Sequence, residues 1–188
     1  MTHVRRLARH VAAGVCAVLL GSAALPSPSE AKTAAEINAE VNAAVARFEK
    51  QVRGAHQFLH NAKAILVFPN VFQAGIGVGG QYGEGAMRIG GATVAYYSVA
   101  SASVGFQFGA QKKDIIIVFL SSDALRSFRA KQGWQVGLDG SIVLVNVGAA
   151  GDINTMKINQ PIVGFVVGQK GLMYNLTLQG TKITKIRR

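Results

Sequence analysis

A chain of 188 residues with 49 % hydrophobic side chains is long enough for one domain with a sizeable core. Its 20 basic residues against 9 acidic ones give a formal charge of +11, which implies an anionic partner: acidic lipid head groups, nucleic acid or an anionic polymer. The single cysteine, Cys16, excludes disulfide bonds within the chain and thiolate metal clusters.

Residues 1–31 read as a secretory signal peptide. Arg5, Arg6 and Arg9 form a basic start, Val11–Leu20 is a short apolar run, and Pro26 and Pro28 break it. Ser29 and Ala31 place small residues at −3 and −1 of a cut before Lys32, and the apolar run is too short to span a bilayer comfortably. Loss of this segment removes three arginines and Glu30, leaving 17 basic and 8 acidic residues, a mature charge of +9 with no cysteine. The expected location is the periplasm or cell envelope, where nucleic acid is not an expected partner.

Residues 32–61 form an N-terminal helical segment. Thr33-Ala34-Ala35-Glu36 fits a capping box. Ile37, Val41, Ala44, Phe48, Val52, Ala55 and Leu59 then recur at steps of three and four, an amphipathic stripe, with Gly54 dividing a long helix from a short one. The polar face carries both signs, unlike a basic membrane-surface helix, so the stripe is expected to pack on the domain. His56 and His60 stand at i, i+4, but the glutamate of His-Glu-x-x-His is missing and no histidine follows, so they are expected on the helix surface without metal.

Residues 62–188 read as β-rich. Ile65–Phe68 is an apolar run, and one strand is expected over Gly75–Arg88, where Gly75, Gly77 and Gly79 alternate with bulkier residues. Gly75-x-Gly77-x-x-Gly80 formally matches a dinucleotide fingerprint. However, alternation continues through the glycines, and no Asp or Glu lies between Glu84 and Asp114, so the fingerprint fails its context. Val94–Val99 and an alternating Ser103–Gln111 follow as strands. Lys112-Lys113-Asp114 reads as a polar turn, and Ile115–Leu120 as an apolar strand. Ser121 or Ser122 is expected to cap a short helix, Asp123–Lys131, with Gly133 as its C-cap. Strands are then expected within Val136–Val147, with a turn at Asp139-Gly140, and at Pro161–Val167. The alternating run Leu172–Leu178 precedes a basic tail. Gly75–Gly79, Gly105–Gly109 and Gly164–Gly168 share a Gly–apolar–x–apolar–Gly pattern without strict spacing, which predicts glycines facing a packed helix or a tight sheet corner.

The expected fold is α+β. An N-terminal amphipathic helix or helix pair packs on a curved, mostly antiparallel glycine-rich sheet (sandwich or small barrel) with one short inserted helix.

The ordered elements Ala62-Lys63-Ala64-Ile65, Pro69, Ala74-Gly75, Gly79-Gly80, Gly83, Gly85, Gly105-Phe106-Gln107, Gly109, Gly133-Trp134, Gly137, Asp139-Gly140-Ser141 and Gly171-Leu172 resemble the SYLF domain family, its exported bacterial branch most closely. The resemblance covers roughly residues 60–188. It implies a non-enzymatic module that binds phosphoinositides and other acidic lipids. In yeast-type members it implies a tie to actin regulation, which an exported chain would not ordinarily meet. The Trp-x-x-Pro segment of eukaryotic members is not visible around Ala92–Tyr97.

The residues agree with a non-enzyme. The acids after the helices (Glu84, Asp114, Asp123, Asp139 and Asp152) form no close sequence pair, and no histidine lies beyond His60. No cofactor is expected. The candidate lipid contacts are Arg126, Arg129 and Lys131 with Trp134, because the two arginines share a helical face and an indole suits the head-group boundary. Lys112 and Lys113 and the tail residues Lys182, Lys185, Arg187 and Arg188 would extend that surface. The competing expectation is an envelope scaffold that binds a protein partner. A membrane-spanning barrel is disfavoured by 7 % aromatics with no paired girdles.

Overall fold

The computed structural model describes residues 31–76, 78–104, 109–145, 153, 158–168, 171–172 and 178–188. Residues 1–30, with Cys16 and almost all of the expected signal segment, residues 105–108 of the Gly105 stripe and most of the Leu172–Leu178 run lie outside the described residues.

Helix α1 (Ala34–Gln51) starts where the sequence puts it. The Thr33 side chain accepts from the Glu36 N–H, and Glu36 reaches back to the Thr33 N–H at 2.7 Å, closing the capping box. Gly54, at φ +77°, opens helix α2 (Ala55–Asn61) in a left-handed conformation that favours glycine. All seven stripe residues, Ile37 to Leu59, are buried. That is the outcome for an amphipathic face packed on a domain.

The strands are β1 (Ala64–Ile76), β2 (Val78–Ile89), β3 (Ala92–Val104), β4 (Gly109–Phe119), β5 (Gly133–Gln135), β6 (Val143–Leu144), β7 (Ile162–Gly168), β8 (Gly171–Leu172) and β9 (Lys182–Ile186). They form a strongly curled, mostly antiparallel sheet in the order β5-β9-β3-β2-β1-β4-β7-β6, with β8 on β7 and, among the described strands, only β6–β7 parallel. Helix α3 (Ser122–Arg129) is inserted after β4.

Each face has its own core. On one, α1 and α2 cover Val67, Ala86, Ile116, Val118, Val163 and Phe165. On the other, Leu66, Phe68, Ile115, Ile117, Phe119, Val166 and Trp134 pack with Phe128 of α3. Strands covered on both faces need apolar residues at every position, which explains the continuous runs Leu66–Phe68, Ile115–Phe119 and Ile162–Val167.

Several strand expectations are corrected. Strand β1 does not stop at Phe68: it passes through Pro69 and Asn70 to Ile76, with a register shift between Phe68 and Val71. Proline has no N–H for the ladder and is tolerated at such an irregularity. Gly75–Arg88 is not one strand. Gly75 faces Gly79 and Ile76 faces Val78 across the β1–β2 hairpin, so alternation ran unbroken through a reversal of direction. A Cβ on Gly75 would sit 2.5 Å from the Gly79 Cα, a tight corner as the glycine pattern predicts. Gly164 instead packs against the side chains of Ile142 and Leu144.

Ser103–Gln111 likewise divides, its ends belonging to β3 and β4 on opposite sides of the hairpin. Lys112-Lys113-Asp114 is no turn but the middle of β4, with Lys113 and Asp114 buried. Their partners come from elsewhere. Arg47 of α1 grips Asp114 with two bonds, Nε to Oδ2 at 2.8 Å and Nη2 to Oδ1 at 3.0 Å. That carboxylate also accepts from the Asn70 N–H at 2.9 Å, holding the β1 irregularity where Asn70 takes φ +51°. The bond to Asp114 raises the Arg47 pKa, against burial. The Lys113 ammonium donates to Gln73 Oε1 at 2.6 Å.

Ser121 caps α3, but Gly133 is not its C-cap: the helix ends at Arg129, and Gly133 opens β5. The basic tail is strand β9, inserted between β5 and β3.

Candidate functional site: a basic groove beside the third helix

Helix α3 is short and strongly two-sided. Phe128 anchors it, its ring tilted against Tyr97, Phe119 and Trp134 with centroids 5.4, 5.1 and 5.5 Å apart. Asp123 sits in the first turn and Arg126 and Arg129 in the last, the arrangement that complements a helix dipole. With Phe128 inward, both arginines stay exposed.

Strand β9 then brings a third cation. Lys185 lies opposite Tyr97 in the sheet, and its N–H donates to the Gln132 carbonyl at 2.9 Å, just past the helix. Leu125, Arg126, Arg129, Ala130 and Lys185 line an open groove of about 490 Å³. Arg126 pairs with Asp123, but both side chains are largely exposed, so the pair is weak and exchangeable. Among the described residues no acid pairs with Arg129 or Lys185. Three cations around a leucine, on a rigid helix and a sheet strand, can hold an anionic head group whose neighbouring atoms are apolar.

The other predicted contacts go elsewhere. Trp134 is only 2 % exposed and lies in the core beneath the Gly137–Gly140 turn, where a Cβ on Gly140 would meet its ring. Lys131 clasps that turn through Asp139 at 2.5 Å, and this bond, with the Gln135 N–H, lowers the Asp139 pKa. Lys113 is 4 % exposed and faces the interior. Arg188 pairs with the buried Glu84, while Arg187 is exposed past the end of β9.

Lys112 and Lys182 share a row on the sheet face that α1 packs against. Register places Lys182, Ala100, Tyr82, Phe72 and Lys112 side by side across β9, β3, β2, β1 and β4. Phe72 is 47 % and Tyr82 53 % exposed, with the Tyr82 hydroxyl donating to Glu84 at 2.8 Å. Sequence reasoning did not single out these aromatics. The signal was present in their alternation with Ala74, Gly80, Ala100 and Ala102, residues too small to cover them.

His56 and His60 are exposed on α2, as expected, with His56 Nδ1 3.0 Å from Glu49. Among the described residues no cluster of three or more His, Cys, Asp or Glu could hold a metal. No described helix is long and apolar enough to cross a membrane.

Residues 100–187 match the family model Ysc84, described as Las17-binding protein actin regulator. The match runs from within β3 to near the end of the chain and takes in α3, β9 and the groove between them. No curated protein matches the chain.

Proposed function

Starting from residues 100–187 as a Ysc84 (SYLF) family domain, we propose that this protein is a non-enzymatic module that binds acidic phospholipids at a membrane surface in the cell envelope. Phosphoinositide-like head groups would sit in the groove of Arg126, Arg129 and Lys185. The observation that carries the reading is the convergence of these three cations from two elements distant in sequence around an open, partly apolar groove. Each basic residue near an anionic bilayer contributes on the order of 1 kcal/mol, screened by salt. Three acting together give reversible attachment. The matched family is consistent with lipid or actin-regulator related binding, and reading the chain as exported favours the lipid half.

Co-sedimentation with vesicles tests this. The protein should pellet with acidic and not with neutral vesicles, and less so at higher salt. Replacing Arg126, Arg129 and Lys185 together by Gln should weaken acidic-vesicle binding at least tenfold. Equal binding to both vesicle types, or an unaffected triple variant, sinks the reading.

A second reading, an envelope scaffold docking a protein partner, is favoured by the exposed Phe72–Tyr82 pair. It predicts that Phe72→Ser and Tyr82→Ser abolish capture of such a partner while vesicle binding through the groove persists.

A further inference from the structure

A second cavity lies far from α3 in the chain, where α1 and α2 meet β1 and the β2–β3 turn. Its volume is about 380 Å³, within the range of small-ligand sites. Val45, Leu59, Ala62 and Ile65 supply an apolar wall. Arg88 of β2, in register with Ile65, supplies a cation.

That cation is poorly satisfied. Its Nε is buried with no partner, and its Nη2 reaches only the Asn38 carbonyl at 3.4 Å. Among the described residues no acid pairs with it. Burial lowers the Arg88 pKa, yet a guanidinium does not give up its proton under ordinary conditions, so the charge remains and favours an anion. The acid on the same cavity, Glu49, is held by His56 at 3.0 Å.

We propose that this cavity binds an amphiphilic alkyl carboxylate, with its head on Arg88 and its chain along Val45, Leu59 and Ile65. The planar guanidinium fork matches a carboxylate. The site is separate from the phospholipid groove and does not depend on it.

Calorimetric titration of the full chain with decanoate, decanol and acetate, below micelle-forming concentrations, tests the assignment. Decanoate should bind at least tenfold tighter than decanol, and acetate should not saturate. Arg88→Met should remove the preference of decanoate over decanol. Val45→Trp, which fills the apolar end and keeps the cation, should weaken decanoate at least tenfold; circular dichroism identifies which variants remain folded, and either suffices. Absent decanoate binding, equal affinity for decanoate and decanol, or unchanged decanoate affinity in a folded variant overturns the proposal. Acidic-vesicle binding should be unchanged by Arg88→Met, and decanoate binding should survive the triple groove variant, so the two readings fail independently.

Discussion

The long strands β1, β2 and β4 have two halves with opposite chemistry. In the half around Leu66–Phe68, Ala86–Met87 and Ile115–Phe119, helices cover both faces and the side chains are buried and apolar. Past the irregularity at Pro69–Asn70, the same strands continue without cover from the described helices. There one face shows Phe72, Tyr82 and Lys112, while the other buries Gln73, Gln81 and Lys113. The sheet is continuous across the boundary; what changes is the neighbour. Helix α1 ends its grip at Arg47–Asp114, so one ion pair marks where a core sheet becomes a surface sheet.

The largest test of this contrast uses glycine. A Cβ on Gly85, in the covered half, would land on the Val67 carbonyl oxygen, whereas one on Gly80 meets only the Ser101 oxygen at an ordinary 3.5 Å. Gly85→Val should cost about 3–5 kcal/mol or abolish folding, while Gly80→Ala should stay within about 0.5 kcal/mol, both read by urea denaturation. The boundary itself comes next. Asp114→Ala leaves Arg47 without its partner and the Asn70 N–H unsatisfied, and should cost about 3 kcal/mol in the same assay.

Lys113 gives a pH-dependent test of the half beyond the irregularity, on its buried face. Burial holds its ammonium down to about 8 from the usual 10.5. Between those values the unfolded chain binds more protons than the folded one, so this residue makes stability rise with pH across that window. The stability of the protein relative to Lys113→Met should therefore climb by about 2 kcal/mol between pH 8 and 10.5, and stay flat below pH 7. A flat difference throughout would mean that the ammonium is solvated. The smallest effect belongs to the exposed row: Phe72→Ser should change stability by less than about 0.5 kcal/mol, since its ring supports no core.

The helical segment was legible because its signals are local: a capping box, a three-and-four stripe and a left-handed glycine all act within a few residues. The both-face strands were legible as apolar runs. The middle of β4 was not. A Lys-Lys-Asp triplet reads as a turn unless one knows that Arg47 and Gln73 come from two other elements to receive it. The β1–β2 hairpin escaped for a different reason, since period-2 alternation is blind to a reversal of direction. At the candidate groove the sequence picked out Arg126, Arg129 and Lys185, but it grouped them with Trp134 and Lys131. Which flank of α3 faces the core depends on Phe128 meeting Tyr97 and Phe119, a contact no local pattern shows.

Strand β9 carries a consequence for how the chain is made. It occupies the slot between β3 and β5, so the long edge of β3 waits open until Ile186 can pair with Tyr96 and Lys182 with Ala100. Such an edge is a template for pairing with other chains. Closing it is a late, long-range step, which topology makes slow. A chain truncated before Lys182 would keep this aggregation-prone margin of β3 exposed, because backbone pairing along β9 is what closes it.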